Sequence, residues 1–177
     1  MRGIKVNILY IEDNPTVNSV NRAILTHRCP YADVVVIPAT TYLEAVEKLK
    51  KNKIDLIICD FEFPGKPDRT GNVPPLSGGI DFYLYLNERN KRVAVKERIP
   101  LFFLSGKSRS EIREAFFEIG FIVSDDHIFE KITFLHEIID AYYDKLCAIG
   151  QIATRPSKRK TAESTEAPSA VLKKHQL

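Results

Sequence analysis

The sequence predicts an α/β fold, a doubly wound sandwich in which helices cover both faces of a parallel sheet. Five short apolar runs, rich in β-branched and aromatic residues, alternate along the chain with longer amphipathic stretches. Such runs are typical of strands buried on both faces, and the stretches between them are long enough for crossover helices. The alternation therefore indicates a parallel sheet, although it does not by itself determine the strand order.

The first strand–helix units are placed by apolar runs and capping residues. Strands are predicted over residues 6–11, 33–37 and 54–59. The first helix is predicted over residues 15–28, since Asn14 can cap it and Pro15 suits a first turn. Its apolar face is predicted to comprise Val17, Val20, Ala23, Ile24 and His27. The second helix follows Thr40 or Thr41 as its cap, with Tyr42, Leu43, Val46 and Leu49 as its apolar face.

A break in the pattern separates these units from the last two. Residues 61–79 contain eight glycines and prolines, so we predict a long loop there. A helix is expected over residues 80–92, then a strand over 99–104 and a helix capped by Ser108 or Ser110. A short strand over 127–130 and a helix over 133–149 complete the predicted domain, which spans residues 1–149.

Composition excludes several classes of protein. The 177 residues are 44% hydrophobic and 28% charged, unlike a wholly disordered or fibrous chain. No window reaches the roughly 18 apolar residues of a membrane span, and the N-terminus lacks the pattern of a signal peptide. We therefore expect a cytoplasmic protein. Cys29, Cys59 and Cys147 form no CxxC pair, so thiols are expected rather than disulfides or zinc ligands.

The positive charge is concentrated in the C-terminal segment. Residues 153–177 hold six of the 26 basic and two of the 23 acidic residues, leaving 20 and 21, about −1, for residues 1–152. Residues 150–177 are rich in Pro, Ser, Thr, Ala and Lys, and we expect a disordered basic tail. This tail lacks the periodicity of a helix-turn-helix, so no DNA-binding domain is expected.

Polar residues follow four of the predicted strands. They are Glu12 and Asp13 after the first strand, Asp60 after the third, Ser105 after the fourth and Lys131 after the fifth. In an open parallel sheet the functional crevice lies at the carboxyl ends of the strands. Carboxylates gathered there repel one another unless a cation lies among them, and Mg²⁺ favours such oxygen ligands. A carboxylate in this setting can act as a nucleophile toward phosphorus.

This arrangement resembles the receiver domain of bacterial two-component response regulators. The resemblance covers about residues 4–147 and implies a flavodoxin-like strand order of 2-1-3-4-5. It implies that Asp60 accepts a phosphoryl group, that Ser105 binds a phosphoryl oxygen and that Lys131 pairs with the phosphoryl charge. It further implies a Mg²⁺ site formed by Glu12, Asp13, Asp60 and the backbone carbonyl of Glu62.

The resemblance also implies partners. A stand-alone receiver would take its phosphoryl group from a histidine kinase or histidine phosphotransfer protein and act on a downstream protein target. A homodimer on phosphorylation is also compatible with it. The sequence departs from the family at Gly106, Ile128 and Ile132, where Ala, an aromatic residue and Pro are usual, and in the long 61–79 loop. These departures concern the output switch rather than the acidic residues.

Two other functions are compatible with the same residues. One is a Mg²⁺-dependent phosphatase with an aspartate nucleophile, in which Asp60 and Glu62 replace the DxD pair of haloacid-dehalogenase-like enzymes. Those enzymes place the nucleophile after their first strand, whereas Asp60 follows the third. The other is a receiver-like interaction module that is never phosphorylated. We expect a phosphoacceptor rather than an enzyme with a separate substrate.

Overall fold

The computed structural model describes residues 4–28, 32–131 and 135–148, which form a five-stranded parallel sheet flanked by helices. The strands are β1 (Ile4–Ile11), β2 (Ala32–Ala39), β3 (Leu56–Cys59), β4 (Leu101–Ser105) and β5 (Ile128–Glu130). The helices are α1 (Pro15–Arg28), α2 (Tyr42–Lys51), α3 (Gly78–Lys91), α4 (Arg109–Glu118) and α5 (Leu135–Ala148). The strand order β2-β1-β3-β4-β5 confirms the predicted flavodoxin-like fold.

Each face of the sheet has its own apolar core because successive strand residues point to opposite faces. On β1, Leu9 and Ile11 pack on the face covered by α2, α3 and α4, whereas Ile8 and Tyr10 pack on the face covered by α1 and α5. The strands β3 and β4 are buried on both faces along their whole length. This explains why their sequences are continuous apolar runs rather than alternating ones.

Two predicted helix faces are partly wrong. Val20 of α1 is 52% exposed and Leu43 of α2 is 60% exposed, although both were assigned to apolar faces. Leu25 and Ala45 are buried instead. In each helix the buried stripe is rotated from the predicted one, because the position of the sheet and not the apolar residue type determines which side is covered. Thr41 caps α2 and accepts a hydrogen bond from the N–H of Glu44.

The 61–79 loop is long, as predicted, but α3 begins at Gly78, two residues earlier than expected. The Gly79 N–H donates to the Phe61 carbonyl at 3.1 Å. A Cβ atom at Gly79 would lie 2.4 Å from that carbonyl oxygen, so only glycine permits this approach. This hydrogen bond therefore holds Phe61, the residue that follows Asp60, against the start of α3.

Several predictions concern residues outside the described ranges. These include the tail over residues 150–177, Cys29, and the first and last residues of the predicted final helix. Cys59 and Cys147 are free thiols. Within the described residues, none of the helices combines the length and the apolarity that crossing a membrane requires.

Candidate functional site

The carboxyl ends of four adjacent strands bring the predicted site residues to one edge of the sheet. Glu12 and Asp13 follow β1, Asp60 follows β3, Ser105 ends β4 and Lys131 follows β5. One carboxylate oxygen from each of Glu12, Asp13 and Asp60 lies within 4.8 Å of the other two. Glu12 and Asp60 are buried, whereas Asp13 is exposed.

Backbone hydrogen bonds continue the sheet pairing past the strand ends and so fix these positions. The Asp60 N–H donates to the Ile11 carbonyl at 2.9 Å, and the Lys131 N–H donates to the Ser105 carbonyl at 2.8 Å. The Glu12 N–H donates to the Ala39 carbonyl at 3.0 Å. The functional side chains are therefore placed by rigid backbone rather than by flexible loops.

Lys131 joins the two buried carboxylates. Its Nζ lies 2.7 Å from Oδ2 of Asp60 and 3.0 Å from Oε2 of Glu12. Its side chain is 32% exposed, while those of Glu12 and Asp60 are 2% and 6% exposed. The contact with Asp60 is a charge-assisted hydrogen bond, whereas that with Glu12 is an ion pair that leaves the buried Oε2 of Glu12 without a hydrogen-bond partner.

Burial and charge shift the pKa values of these three groups. Burial raises the pKa of Asp60, although Lys131 and the backbone N–H groups that follow it act in the opposite direction. Burial also raises the pKa of Glu12. The charge of Asp60 raises this pKa further, whereas Lys131 lowers it. Burial alone would lower the pKa of Lys131, but its contacts with the two carboxylates outweigh that cost and raise it. Burial is therefore the largest influence on all three groups, and the contacts between Lys131 and the two carboxylates oppose it.

The donor set fits a hard divalent cation. Three carboxylates converge and a single described ammonium lies among them, so two negative charges remain unbalanced when all four groups are ionised. Oxygen ligands from carboxylates are those that Mg²⁺ and Ca²⁺ prefer. The exposed Asp13 also leaves the cluster open to solvent, as exchange of a cation requires.

Ser105 and Glu62 lie on either side of Asp60. Ser105 is 1% exposed, and its Oγ accepts a hydrogen bond from the Lys107 N–H at 3.2 Å. The Glu62 N–H approaches Oδ1 of Asp60 at 3.4 Å. The role of the Glu62 carbonyl as a metal ligand stays a prediction.

The side chains of Glu62 and Lys107 meet across the mouth of the site. The Lys107 Nζ lies 3.2 Å from Oε1 of Glu62 and 3.9 Å from Oε1 of Glu111. Both Glu62 and Lys107 are about one-third exposed, at 33% and 34%. The first contact, hereafter the Glu62–Lys107 bridge, thus connects the loop after Asp60 with the turn after Ser105.

Sequence reasoning missed Asn18, and it assigned Asn14 only as a helix cap, although both residues contact Glu12. The Asn18 side-chain amide, which is buried, donates to the Glu12 carbonyl at 3.0 Å. The Asn14 N–H approaches Oε1 of Glu12 at 3.3 Å. Asn18 falls among apolar positions of α1, and a polar residue in that stripe is the signal that could have indicated a buried hydrogen bond.

The aromatic side chain near the end of β5 differs from the family pattern noted above. Ile128, three residues before Lys131, packs in the core beneath α2, α3 and α4. Phe129 packs on the opposite face, where its ring centroid lies 5.7 Å from that of Phe102. The two faces of β5 therefore hold an aliphatic residue and a packed aromatic one, respectively.

The fold matches that of response-regulator receiver domains among the solved structures. The chain is similar to a receiver domain from Clostridium thermocellum, with 19% identity, a TM-score of 0.54, and coverage of 82% of this chain and 98% of that one. It is also similar to the non-phosphorylated HemR receiver domain from Leptospira biflexa, with 21% identity, a TM-score of 0.51, and coverage of 86% and 98%. At these identities the similarity establishes the fold.

A third similar structure is a receiver domain protein from Methanospirillum hungatei, at 16% identity and a TM-score of 0.53, with coverage of 82% of this chain and 97% of that one. No protein-family model matches the sequence, and no curated protein matches it. The chain therefore has the receiver-domain fold, and the chemistry of the site must be argued from its own residues.

Proposed function

We propose that this protein is a response-regulator receiver that accepts a phosphoryl group on Asp60. The observation that carries the proposal is a buried carboxylate 2.7 Å from a lysine ammonium, with two further carboxylates close enough to share a cation. The donor would be a phosphohistidine of a histidine kinase or phosphotransfer protein. We infer that this reaction takes place in the cytoplasm and that its output is a contact with another protein.

The transfer itself is a substitution at phosphorus. An oxygen of the ionised Asp60 carboxylate forms a bond to the phosphorus atom, and the P–N bond of the donor phosphohistidine breaks. The imidazole leaves with that electron pair and takes up a proton. Ionised Asp60 is required, and Lys131 favours that form against the cost of burial.

A bound Mg²⁺ would offset the charge of the phosphoryl oxygens and of the carboxylates around them. The carboxylates of Glu12, Asp13 and Asp60 and the Glu62 carbonyl would hold it. Lys131 already lies within 3.0 Å of both buried acids, so its ammonium is placed to balance the added charge.

Ser105 supplies the remaining polar contact of the proposed acceptor site. Its Oγ accepts from the Lys107 N–H, which leaves the hydroxyl proton to donate to a phosphoryl oxygen. A phosphoryl group on Asp60 would thereby connect β3 with β4 and, through Lys131, with β5. A partner protein would recognise the change in this connection between the strands. The protein would catalyse only its own phosphorylation and dephosphorylation.

Labelling with a small phosphodonor tests the proposal. Wild-type protein with Mg²⁺ and acetyl phosphate should gain one phosphoryl group that is stable in acid and labile to base and hydroxylamine. Asp60→Asn should gain none, because an amide is not a nucleophile toward phosphorus. Asp125→Asn, which changes an exposed carboxylate paired with Arg113, is the matched control and should label as wild type.

Equal labelling of the Asp60→Asn variant would overturn the assignment of Asp60. Repeated consumption of the donor, many equivalents per protein with little phosphoprotein present, would instead support a phosphatase. Absence of labelling by any small or phosphohistidine donor in the presence of Mg²⁺ would support an interaction module.

A further inference from the structure

A cavity of about 600 Å³ lies at the amino-terminal edge of the sheet, opposite to the Asp60 site. Asp55, Pro100 and His127, which immediately precede β3, β4 and β5, line it together with parts of α3 and α5. Small-molecule sites commonly have volumes of about 300–1,000 Å³. The cavity is thus of the right size for a small organic ligand, and nothing in the proposed phosphoryl chemistry uses it.

Specific hydrogen bonds build one wall of this cavity. The Asn90 side chain at the end of α3 donates to the Ile99 carbonyl at 3.1 Å and accepts from the Ile99 N–H at 3.3 Å. This pair of bonds holds the segment that includes the 3₁₀ helix Val95–Glu97 against α3. The cavity is therefore enclosed by a fixed wall rather than by a loosely packed loop.

The charged residues that line the cavity are mainly basic. Two carboxylates, Asp55 and Glu97, stand against five cations, which are Lys53, Lys91, Lys96, Arg98 and Lys145. Two of these cations are ion-paired, Lys53 with Asp55 at 3.9 Å and Lys91 with Glu88, which lies outside the lining, at 2.6 Å, so an excess of positive charge remains. The lining therefore favours an anion over a cation.

Lys145 and His127 are two lining residues of the cavity that contact each other. The Lys145 Nζ lies 2.9 Å from Nε2 of His127, and the imidazole is held edge-to-face against Phe102 at 5.2 Å between ring centroids. Among the described residues, no carboxylate oxygen lies within 4.0 Å of the Lys145 ammonium. Burial lowers the pKa of both groups, and the neighbouring ammonium lowers that of His127 further, whereas the charge of Asp126 raises both. A ligand anion in contact with Lys145 and His127 would act in the same direction as Asp126 and offset the cost of burial.

We propose that this cavity binds a small organic anion, whose phosphate or carboxylate group contacts Lys145 and His127. The body of the ligand would lie against apolar side chains of the same lining, which include Ile54, Leu101 and Tyr142. Such a combination of an apolar wall and a few convergent polar groups is typical of ligand sites. The proposal is independent of phosphorylation because the two sites lie at opposite ends of the strands.

Binding measurements on the full chain test this site with four defined probes. Phenyl phosphate and phenylacetate share an apolar body and differ in the anion, inorganic phosphate lacks the body, and benzyl alcohol lacks the charge. At least one aryl anion should shift the ring nitrogen signals of His127 in a saturable way. Benzyl alcohol and inorganic phosphate should bind at least about tenfold more weakly, each losing one part of the recognition.

Two variants assign the binding to particular residues, and two others are controls. Lys145→Met should weaken binding of the aryl anion at least about tenfold, whereas Lys50→Met, which changes an exposed lysine of α2, should not. Arg98→Gln changes an exposed residue of the cavity lining and should also weaken it, even if Lys145→Met fails to fold. Asp60→Asn should bind the anion as wild type does, which separates this site from the proposed function.

The proposal would be overturned if neither aryl anion shifted the His127 signals at millimolar concentration. Unchanged affinity in both the Lys145→Met and the Arg98→Gln variants would also overturn it. Equal binding of inorganic phosphate and phenyl phosphate would overturn the part of the proposal that assigns an apolar body to the ligand.

Discussion

The Glu62–Lys107 bridge is expected to lengthen the lifetime of phosphorylated Asp60. Hydrolysis requires a water molecule in line with the phosphoryl group. The bridge spans the two segments that flank this approach, since Glu62 contacts Asp60 and Lys107 contacts Ser105 through their backbone N–H groups. We therefore predict that the closed bridge, with its ions 3.2 Å apart, covers the proposed phosphoryl face.

The size of the effect follows from the exposure of the pair. Both side chains are about one-third exposed, so the bridge is expected to contribute about 0.2–1 kcal/mol. This free energy corresponds to a closed-to-open ratio of about 1.4 to 5, since about 1.4 kcal/mol corresponds to a factor of ten. If water enters only when the bridge is open, removing the bridge speeds decay by one plus that ratio, about 2.4- to 6-fold. Glu62→Ala and Lys107→Ala should each give this increase, and the double variant should add little.

Phosphoryl decay in the wild type, both single variants and the double variant measures the coupling directly. Glu111→Gln is the control because it weakens only the longer 3.9 Å contact to Lys107 and keeps a side chain able to cap α4. At about 1 M salt, where charges are screened beyond about 3 Å, wild-type decay should approach that of the variants. Identical half-lives, or strictly additive effects of the two substitutions, would refute the reasoning.

Three further perturbations test other parts of the account. Asp13→Ala should weaken Mg²⁺ binding with the fold intact, measured by titration calorimetry and circular dichroism; unchanged affinity would remove this acid from the cluster. The folded wild type binds the Asp60 proton more tightly than the unfolded chain, so wild-type stability should fall as the pH rises from about 3.9 through the raised pKa of Asp60. Asp60→Asn lacks this proton and should therefore gain stability relative to wild type over the same range. A denaturation difference that does not vary with pH would contradict the raised pKa. Residues 66–73 can be removed because the Gly65 N–H already donates to the Pro74 carbonyl at the two ends of this segment. Their removal should slow phosphoryl transfer from a phosphohistidine protein more than it slows labelling by acetyl phosphate. Equal rates before and after removal would show that the loop has no part in partner contact.

The sequence predicted the strands and the sheet edge well because both depend on local chemistry. A continuous apolar run such as residues 54–59 is favourable only when both faces are buried, and the polar residue that follows it must then lie at the end of a strand. Parallel strands bring these ends to one edge, which is why Asp60 and Lys131 could be placed near each other from sequence although 71 positions separate them.

Features that depend on packing between distant elements could not be predicted in this way. The exposure of Leu43 depends on where α2 lies on the sheet, and the early start of α3 depends on the close approach of Gly79 to Phe61. The cavity around Lys145 was missed for the same reason. Its lining comes from several separate segments, and a lysine on a helix is ordinarily a solvated charge.

Mapping the phosphorylated residue tests the central claim most directly. Wild-type protein labelled with a phosphohistidine donor and Mg²⁺ would be treated with borohydride, which reduces an aspartyl phosphate to homoserine, and its peptides analysed by mass spectrometry. We expect homoserine at position 60, with all other aspartates unchanged. Reduction at a different residue, or a phosphoryl group that resists hydroxylamine and leaves Asp60 intact, would contradict it.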